Sequence, residues 1–130
     1  MQTGQQGNAY TVHGYCPNDQ TPPPPQNQWE VIDIFQHNTI NNHSNVAKSV
    51  DGVIIRCGLR GWGKAGNLKA DDKFEENYKG FKGNTKIGYY FITQATTTYE
   101  ATAEADYIID KLIKGKQNDF TIFIDTERIY

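Results

Sequence analysis

Short apolar runs alternate with helical patterns along this chain from Trp29 onward. Continuous apolar segments rich in β-branched residues predict buried strands, whereas apolar residues repeating every three or four positions predict helices. The predicted strands are 31–35, 53–57, 86–92 and 120–126. The predicted helices are 44–50, 72–82 and 99–114. This alternation is typical of a parallel sheet with helical crossovers.

Two of the predicted helices carry a marked apolar stripe. In the second helix, Phe74, Tyr78 and Phe81 share one face, and Asp71 is the expected N-cap. The third helix is expected to stop near Gly115. Its apolar face is predicted to comprise Ala101, Ala105, Ile108, Ile109 and Leu112.

The order of the elements leaves two architectures open, half of a (β/α)₈ barrel or a small open sheet. The expected fold class is α/β, a TIM-barrel-like fold represented here by about four βα units, and therefore a partial barrel. Residues 1–28 are rich in Gln, Asn, Gly and Pro and are expected to form an arm or linker. Residues 29–130 are expected to form one domain that ends at the fourth strand.

Charge and hydropathy narrow the classes of partner. The 130 residues carry a formal net charge of −2, which disfavours nucleic-acid and anionic-membrane surfaces. No apolar stretch approaches the roughly 20 residues of a membrane span. The first residues lack a signal-peptide pattern, so any export signal is expected to lie outside this sequence. We therefore expect a neutral or weakly charged ligand, with no nucleic acid and no membrane.

The cysteines and histidines indicate no cofactor site. Cys16 and Cys57 either form a disulfide that ties the arm to the core or remain free thiols, and no spacing rule decides between these alternatives. His13, His37 and His43 show no metal-ligand spacing with the cysteines. No metal and no other cofactor is expected.

The last predicted strand ends in two carboxylates, Asp125 and Glu127. Side chains two residues apart on a strand point to the same side, with Cα atoms roughly 6.5 Å apart. Close carboxylates do not both ionise freely, so one pKa is expected to rise. Glycoside hydrolases cleave the glycosidic bond with one protonated carboxyl group and a second, ionised carboxylate beside it. The alternative is a solvated strand end that caps a following helix.

Residues suited to a site also stand near the ends of the other strands. Asp33 interrupts an apolar strand, and Arg56 lies near the end of the next one. In a βα barrel such positions line the carboxyl-end mouth, where active sites are built. The alternatives are a capping role for Asp33 and a structural salt bridge for Arg56. The third strand adds Tyr89, Tyr90 and Phe91, aromatic rings of the kind that pack against sugars.

Six motifs, in their order along the chain, resemble the N-terminal part of the Chalaropsis-type lysozymes, glycoside hydrolase family 25. They are Asp33-Ile34-Phe35-Gln36-His37-Asn38-x-x-Asn41, Val53-Ile54-Ile55-Arg56, Asp71-x-x-Phe74-x-x-Asn77, Gly88-Tyr89-Tyr90, Glu100-Ala101-x-x-Glu104-Ala105 and Phe123-Ile124-Asp125-Thr126-Glu127. Two positions depart from the family pattern, because Phe35 stands where Ser is usual and Phe91 where His is common.

The resemblance implies a muramidase, which cuts the β-1,4 bond between N-acetylmuramic acid and N-acetylglucosamine in peptidoglycan. Glu127 would be the general acid, and Asp125 would assist either directly or by orienting the 2-acetamido group of the substrate. Asp33 would be a further active-site carboxylate. The peptidoglycan glycan strand is thus the expected partner, in an extracellular or a lysosomal or phagosomal compartment.

The resemblance also implies a substrate groove lined by Arg56, Tyr90, His37 and Asn38. The later strands of the family would lie in a C-terminal half beyond Tyr130. Because a partial barrel leaves strand edges open, either that half or self-association is expected to cover them.

Two rival functions stay open. A chitinase-like glycosidase would use an Asp-x-Asp-x-Glu strand, but Phe123 stands at the first of these positions. A non-catalytic glycan-binding half barrel would keep the sugar-facing aromatic residues without complete acid/base machinery.

Overall fold

A computed structural model describes residues 28–61 and 66–126, so almost all of the predicted arm lies outside the described residues. The strands are β1 (Val31–Ile34), β2 (Gly52–Arg60), β3 (Leu68–Ala70), β4 (Lys86–Thr93) and β5 (Ile122–Thr126). The helices are α1 (His43–Ser49), α2 (Phe74–Phe81) and α3 (Thr98–Tyr107), and α3 continues into a π-helical turn, Ile108–Leu112. Each strand and helix predicted within these ranges is present.

The sheet is mostly parallel, with the strand order β1-β2-β4-β5. One row of paired residues crosses all four strands, namely Ile34, Ile55, Tyr89 and Ile122. The short strand β3 pairs with the end of β2 in antiparallel orientation. The α/β class with parallel strands is therefore confirmed. Because parallel strands run in one direction, their carboxyl ends lie at the same edge of the sheet.

The helices pack on one face of the sheet, which we call the helix face. Alternate strand residues point to this face and are fully buried, among them Val53, Ile55, Ile87, Tyr89 and Phe91. The helical segments contribute Ala47, Phe74, Phe81, Ile108 and Leu112 to the same core. The opposite face, which we call the site face, carries the other set of alternate residues, including Asp33, Arg56, Tyr90 and Asp125.

Phe120 fills the amino-terminal part of the site face. A Cβ atom added at Gly52 would lie 2.8 Å from the Phe120 ring, and one added at Gly88 would lie 2.9 Å from it. Trp29 meets the same ring edge-on, with the centroids 6.3 Å apart. The two glycines therefore make room for an aromatic plug, because no other residue type allows so close an approach.

Gly88→Ala is expected to destabilise the fold by about 1–3 kcal/mol, because the added methyl group would overlap Phe120 and Ile54, both 2.9 Å away. Urea unfolding measures the change. Gly61→Ala is the matched control, since its nearest neighbour would lie 3.7 Å away. The control is expected to change stability by less than about 0.5 kcal/mol. Equal losses in the two variants would contradict the role of the plug.

The second strand extends beyond its predicted end at residue 57. β2 runs on through Gly58, and β3 returns beside it. A Cβ atom at Gly58 would lie only 2.5 Å from the Lys69 carbonyl oxygen, so this glycine permits the pairing. The predicted strand end is wrong because Gly58 serves a close contact between strands.

The predicted N-cap of α2 is also wrong. The helix begins at Phe74, and Lys73 occupies the N-cap position. Asp71 is buried, and although its Oδ1 accepts a hydrogen bond from the Lys73 N–H at 2.9 Å, its Oδ2 pairs with Arg56. The residue joins an ion pair instead of capping the helix.

The predicted apolar face of the last helix is wrong in part. The residues buried in α3 and the π-helical turn are Glu104, Ile108 and Leu112. The predicted apolar residues that stay exposed are Ala101, Ala105 and Ile109. Glu104 points inward because its carboxylate lies 2.7 Å from Arg60 Nε and accepts a hydrogen bond from Thr93 Oγ1 at 2.5 Å. As a result, the buried face of α3 contains Glu104 and not the apolar residues that periodicity predicts.

Cys57 is a free, fully buried thiol, so the alternative of a disulfide at this residue is wrong. Its Sγ donates a hydrogen bond to the Tyr90 carbonyl oxygen at 3.3 Å. Burial raises the pKa of the thiol to about 12. Its partner in the predicted bridge, Cys16, lies outside the described residues. Cys57 therefore serves the core as a small buried side chain.

Candidate functional site

Each of the four parallel strands contributes one predicted site residue to the site face. These are Asp33 in β1, Arg56 in β2, Tyr90 in β4 and Asp125 in β5. Arg56 and Tyr90 are direct register partners. Asp125 pairs with Ile92, which lies two residues beyond Tyr90 and so points to the same side. The sheet thus places residues from four strands on one face. Asp33 and Asp125 are next to last in their strands, and Arg56 and Tyr90 lie in the middle of theirs.

The Asp33 carboxyl group holds its proton more tightly than an ordinary aspartate. Burial raises its pKa, and the Asp125 carboxylate raises this pKa further. Asp33 is nevertheless solvent-exposed as a residue, so a ligand can reach it. Two interacting carboxylates, one of them with a raised pKa, form the kind of pair that acid–base chemistry uses.

Asp33→Asn is expected to raise the melting temperature at pH 7 but not at pH 3. Because the pKa of Asp33 is raised in the folded chain, its ionisation lowers the free energy of unfolding as pH rises through the ordinary carboxyl range. Below that range the group is protonated in both folded and unfolded chains. Thermal melts at the two pH values measure the difference. An equal rise in melting temperature at pH 7 and pH 3 would indicate that the variant acts through packing and not through the loss of charge.

Arg56 is held by a buried ion pair. Its Nε lies 2.7 Å from Oδ2 of Asp71, and its Cζ lies 4.9 Å from the centroid of the Phe35 ring. The Asp71 carboxylate also accepts the backbone N–H of Gln36 at 3.1 Å. The pair therefore ties the segment after β1 to the end of β2. The structural salt bridge that the sequence left open for Arg56 is present.

Of the three aromatic residues in the third predicted strand, Tyr90 alone lies on the site face. Tyr89 and Phe91 point to the helix face and are fully buried, because neighbours on a strand alternate sides. The prediction that these two rings face a sugar is therefore wrong. Burial raises the pKa of the Tyr90 phenol, and the nearby Arg56 guanidinium opposes that rise.

Phe123 is a site-face residue that the sequence analysis did not assign to ligand binding. It is the register partner of Tyr90 and is 45% exposed. The sequence contained a signal for it, since Phe123 and Asp125 are two residues apart on one strand. An exposed ring beside a carboxylate is suited to a sugar.

His37 and Asn38 lie in the turn that follows β1. Asn38 Oδ1 accepts the Phe35 N–H at 2.9 Å, and the Asn38 N–H donates to the Phe35 carbonyl oxygen at 3.0 Å. The His37 ring meets the Phe35 ring edge-on, with centroids 5.2 Å apart. These residues shape the turn that carries the aromatic partner of Arg56. Their predicted substrate contact stays a prediction.

Glu127, the predicted general acid, lies outside the described residues, and its role stays a prediction. Asp125, two residues earlier in the sequence, is partly buried on the site face.

A cavity of about 440 Å³ lies between α3 and β5 on the helix face. Its lining is mostly apolar and includes Ile122 and Ile124. Their side chains point to the opposite face of the sheet from Asp125. The cavity is therefore separate from the candidate site.

Comparison with protein-family models, characterised proteins and solved structures gives no match to this chain. Within residues 28–61 and 66–126, no three His, Cys, Asp or Glu side chains are grouped to hold a metal ion. In the same ranges, no helix is long and apolar enough to cross a membrane. The geometry of the site face is therefore the basis for the proposed function.

Proposed function

We propose that this chain carries part of the active site of a lysozyme-like muramidase, which hydrolyses the β-1,4 bond between N-acetylmuramic acid and N-acetylglucosamine. The observation that carries the proposal is the placement of Asp33 and Asp125 on one face of a parallel sheet, with Arg56 and Tyr90 on the strands between them. Paired carboxylates at the carboxyl ends of parallel strands are suited to glycoside hydrolysis.

The proposed architecture is a partial (β/α)₈ barrel whose interior is the site face. β1 and β5 are separated by two strands, so in a flat sheet they would lie about 14 Å apart. Interactions between charges near the surface weaken beyond about 8–10 Å. The proposed barrel therefore requires a sheet that curves and brings Asp33 and Asp125 within this range.

In this mechanism Glu127 protonates the glycosidic oxygen as the bond breaks. As the bond breaks, Asp125 stabilises the positive charge on the sugar, either by direct attack or by orienting the 2-acetamido group. A water molecule then adds to the sugar and releases it, while Glu127 takes up the proton of that water. Asp33 adds a second carboxylate whose proton affinity depends on Asp125. Phe123 and Tyr90 offer aromatic surface for the sugar ring.

The proposed partner is a peptidoglycan strand, met outside the cell or in a lysosomal or phagosomal compartment. Among the described strands, β5 pairs with β4 alone, and β1 pairs with β2 alone. Unpaired edges of parallel strands favour further pairing. A C-terminal half or a second copy of the chain is proposed to cover them.

The second candidate function is non-catalytic glycan binding by the same face. The exposure of Phe123, at 45%, favours this alternative because a sugar platform does not need a complete acid–base pair. A chitinase-like reaction is less favoured, because this ring occupies the position of a third carboxylate.

Peptidoglycan zymography and sedimentation with purified cell walls separate these functions. Clearing of the wall by the full-length natural protein supports the muramidase, and release of reducing ends identifies the bond. Cosedimentation without clearing supports the glycan-binding alternative. If the protein gives no clearing and does not cosediment with cell walls, both functions are contradicted.

A further inference from the structure

Arg56 is fixed in one orientation, and two of its guanidinium nitrogens have no hydrogen-bond partner among the described residues. Asp71 engages Nε at 2.7 Å, Phe35 supports the guanidinium plane, and the residue is only 7% exposed. Among the described residues, none accepts a hydrogen bond from Nη1 or Nη2. A side chain held this firmly presents its remaining donors without further loss of rotamer freedom.

The Arg56 side chain is not completely enclosed by the described residues, since its exposed fraction is 8%. Arg56 lies on the site face, directly opposite Tyr90 on the neighbouring strand. A ligand bound to this face would therefore approach the guanidinium.

The chemistry of this group selects an anion. A guanidinium offers parallel N–H donors in a planar fork, which matches the two oxygens of a carboxylate. Arg56 lies on the site face, on a strand between those of Asp33 and Asp125. Within the described strands, the other cation toward the carboxyl ends of this face is Lys69, which is exposed and paired with Asp72. A neutral glycan offers single hydroxyl and carbonyl oxygens, which match the fork less well than a carboxylate does.

We infer that Arg56 is a specificity-determining residue that binds a carboxylate on the C3 substituent of the muramic acid ring. This inference rests on the proposed function and deepens it, because the carboxylate distinguishes muramic acid from N-acetylglucosamine. The carboxylate has two sources in peptidoglycan, the lactyl group of strands without peptide and the stem peptide of substituted strands. The experiment separates these sources.

Isothermal titration of the wild-type chain with four matched saccharides tests the inference. The ligands are a muramic acid tetrasaccharide with a free lactyl carboxylate, the same compound capped as a neutral amide, its stem-peptide form, and chitotetraose. The free carboxylate is expected to bind about 10- to 100-fold more tightly than the amide and than chitotetraose. Tight binding of the stem-peptide form alone would identify the stem as the source.

Two variants complete the experiment. Arg56→Gln is expected to remove the preference for the carboxylate, whereas Lys79→Gln, which removes an exposed cation from α2 on the helix face, is expected to keep it. If Arg56→Gln does not fold, Arg56→Lys replaces it; this variant keeps the charge but not the planar fork and is expected to weaken the preference. Binding of all four saccharides within twofold would overturn the inference and leave glycan binding standing. Binding of none would overturn both the inference and the proposed function.

Discussion

Glu127→Gln is expected to lower the rate of peptidoglycan hydrolysis by about 10²–10⁴-fold, the contribution typical of a general acid. Glutamine keeps the shape of the side chain but cannot donate a proton to the leaving oxygen. Binding of the glycan is expected to change little, because the acid acts mainly in the transition state. The rate is measured as release of reducing ends from cell walls by the full-length natural protein.

The control for this variant is Glu76→Gln, on the exposed surface of α2. It removes the same charge from a position away from the site face and is expected to leave the rate unchanged. A Glu127→Gln protein that clears cell walls at the original rate would show that the proposed acid is wrong. Loss of binding together with loss of rate would instead indicate a structural role.

Asp71→Asn is expected to destabilise the folded chain by about 3–5 kcal/mol, because it leaves the Arg56 guanidinium without its charged partner. The pair is almost fully enclosed, with side-chain exposures of 8% and 0%. The carboxylate also accepts two backbone N–H groups, from Gln36 and Lys73. Chemical denaturation with two spectroscopic probes measures the loss.

The neighbouring residue provides a matched control. Asp72→Asn removes a carboxylate whose partner, Lys69, lies 3.7 Å away in an exposed pair, so the expected loss is below about 1 kcal/mol. The double variant Arg56→Met and Asp71→Asn is expected to recover part of the stability, because it leaves no unpaired charge and keeps an acceptor oxygen near the backbone N–H groups of Gln36 and Lys73. Similar losses in the Asp71 and Asp72 variants would contradict the importance of the buried pair.

The strands and their two faces follow from the sequence because they depend on local periodicity. Side chains alternate along a strand, so Asp33 shares a face with residues 31 and 35, and Asp125 shares a face with residue 123. This holds for any pairing of the strands. The order of apolar runs and helical stripes is sufficient to predict parallel pairing. The carboxyl ends of the strands are therefore predictable as a candidate site from the sequence.

The contacts of charged residues could not be predicted in the same way. Asp71 has the residue type and position of an N-cap, and Glu104 has the position of an exposed helix residue, yet both are buried against arginines. Nothing within a few residues of either side chain indicates a partner 15 or 44 positions away. Pairing of this kind depends on which strands become neighbours.

The sequence alone determined the element order, the parallel class and the side of the sheet on which each strand residue lies, because these properties arise from short-range geometry. The tertiary structure decided the pairing of β3 with β2, the burial of Glu104 against Arg60 and the ion pair between Arg56 and Asp71. These features require close approach between segments distant in sequence, and their energies depend on burial and charge rather than on local pattern.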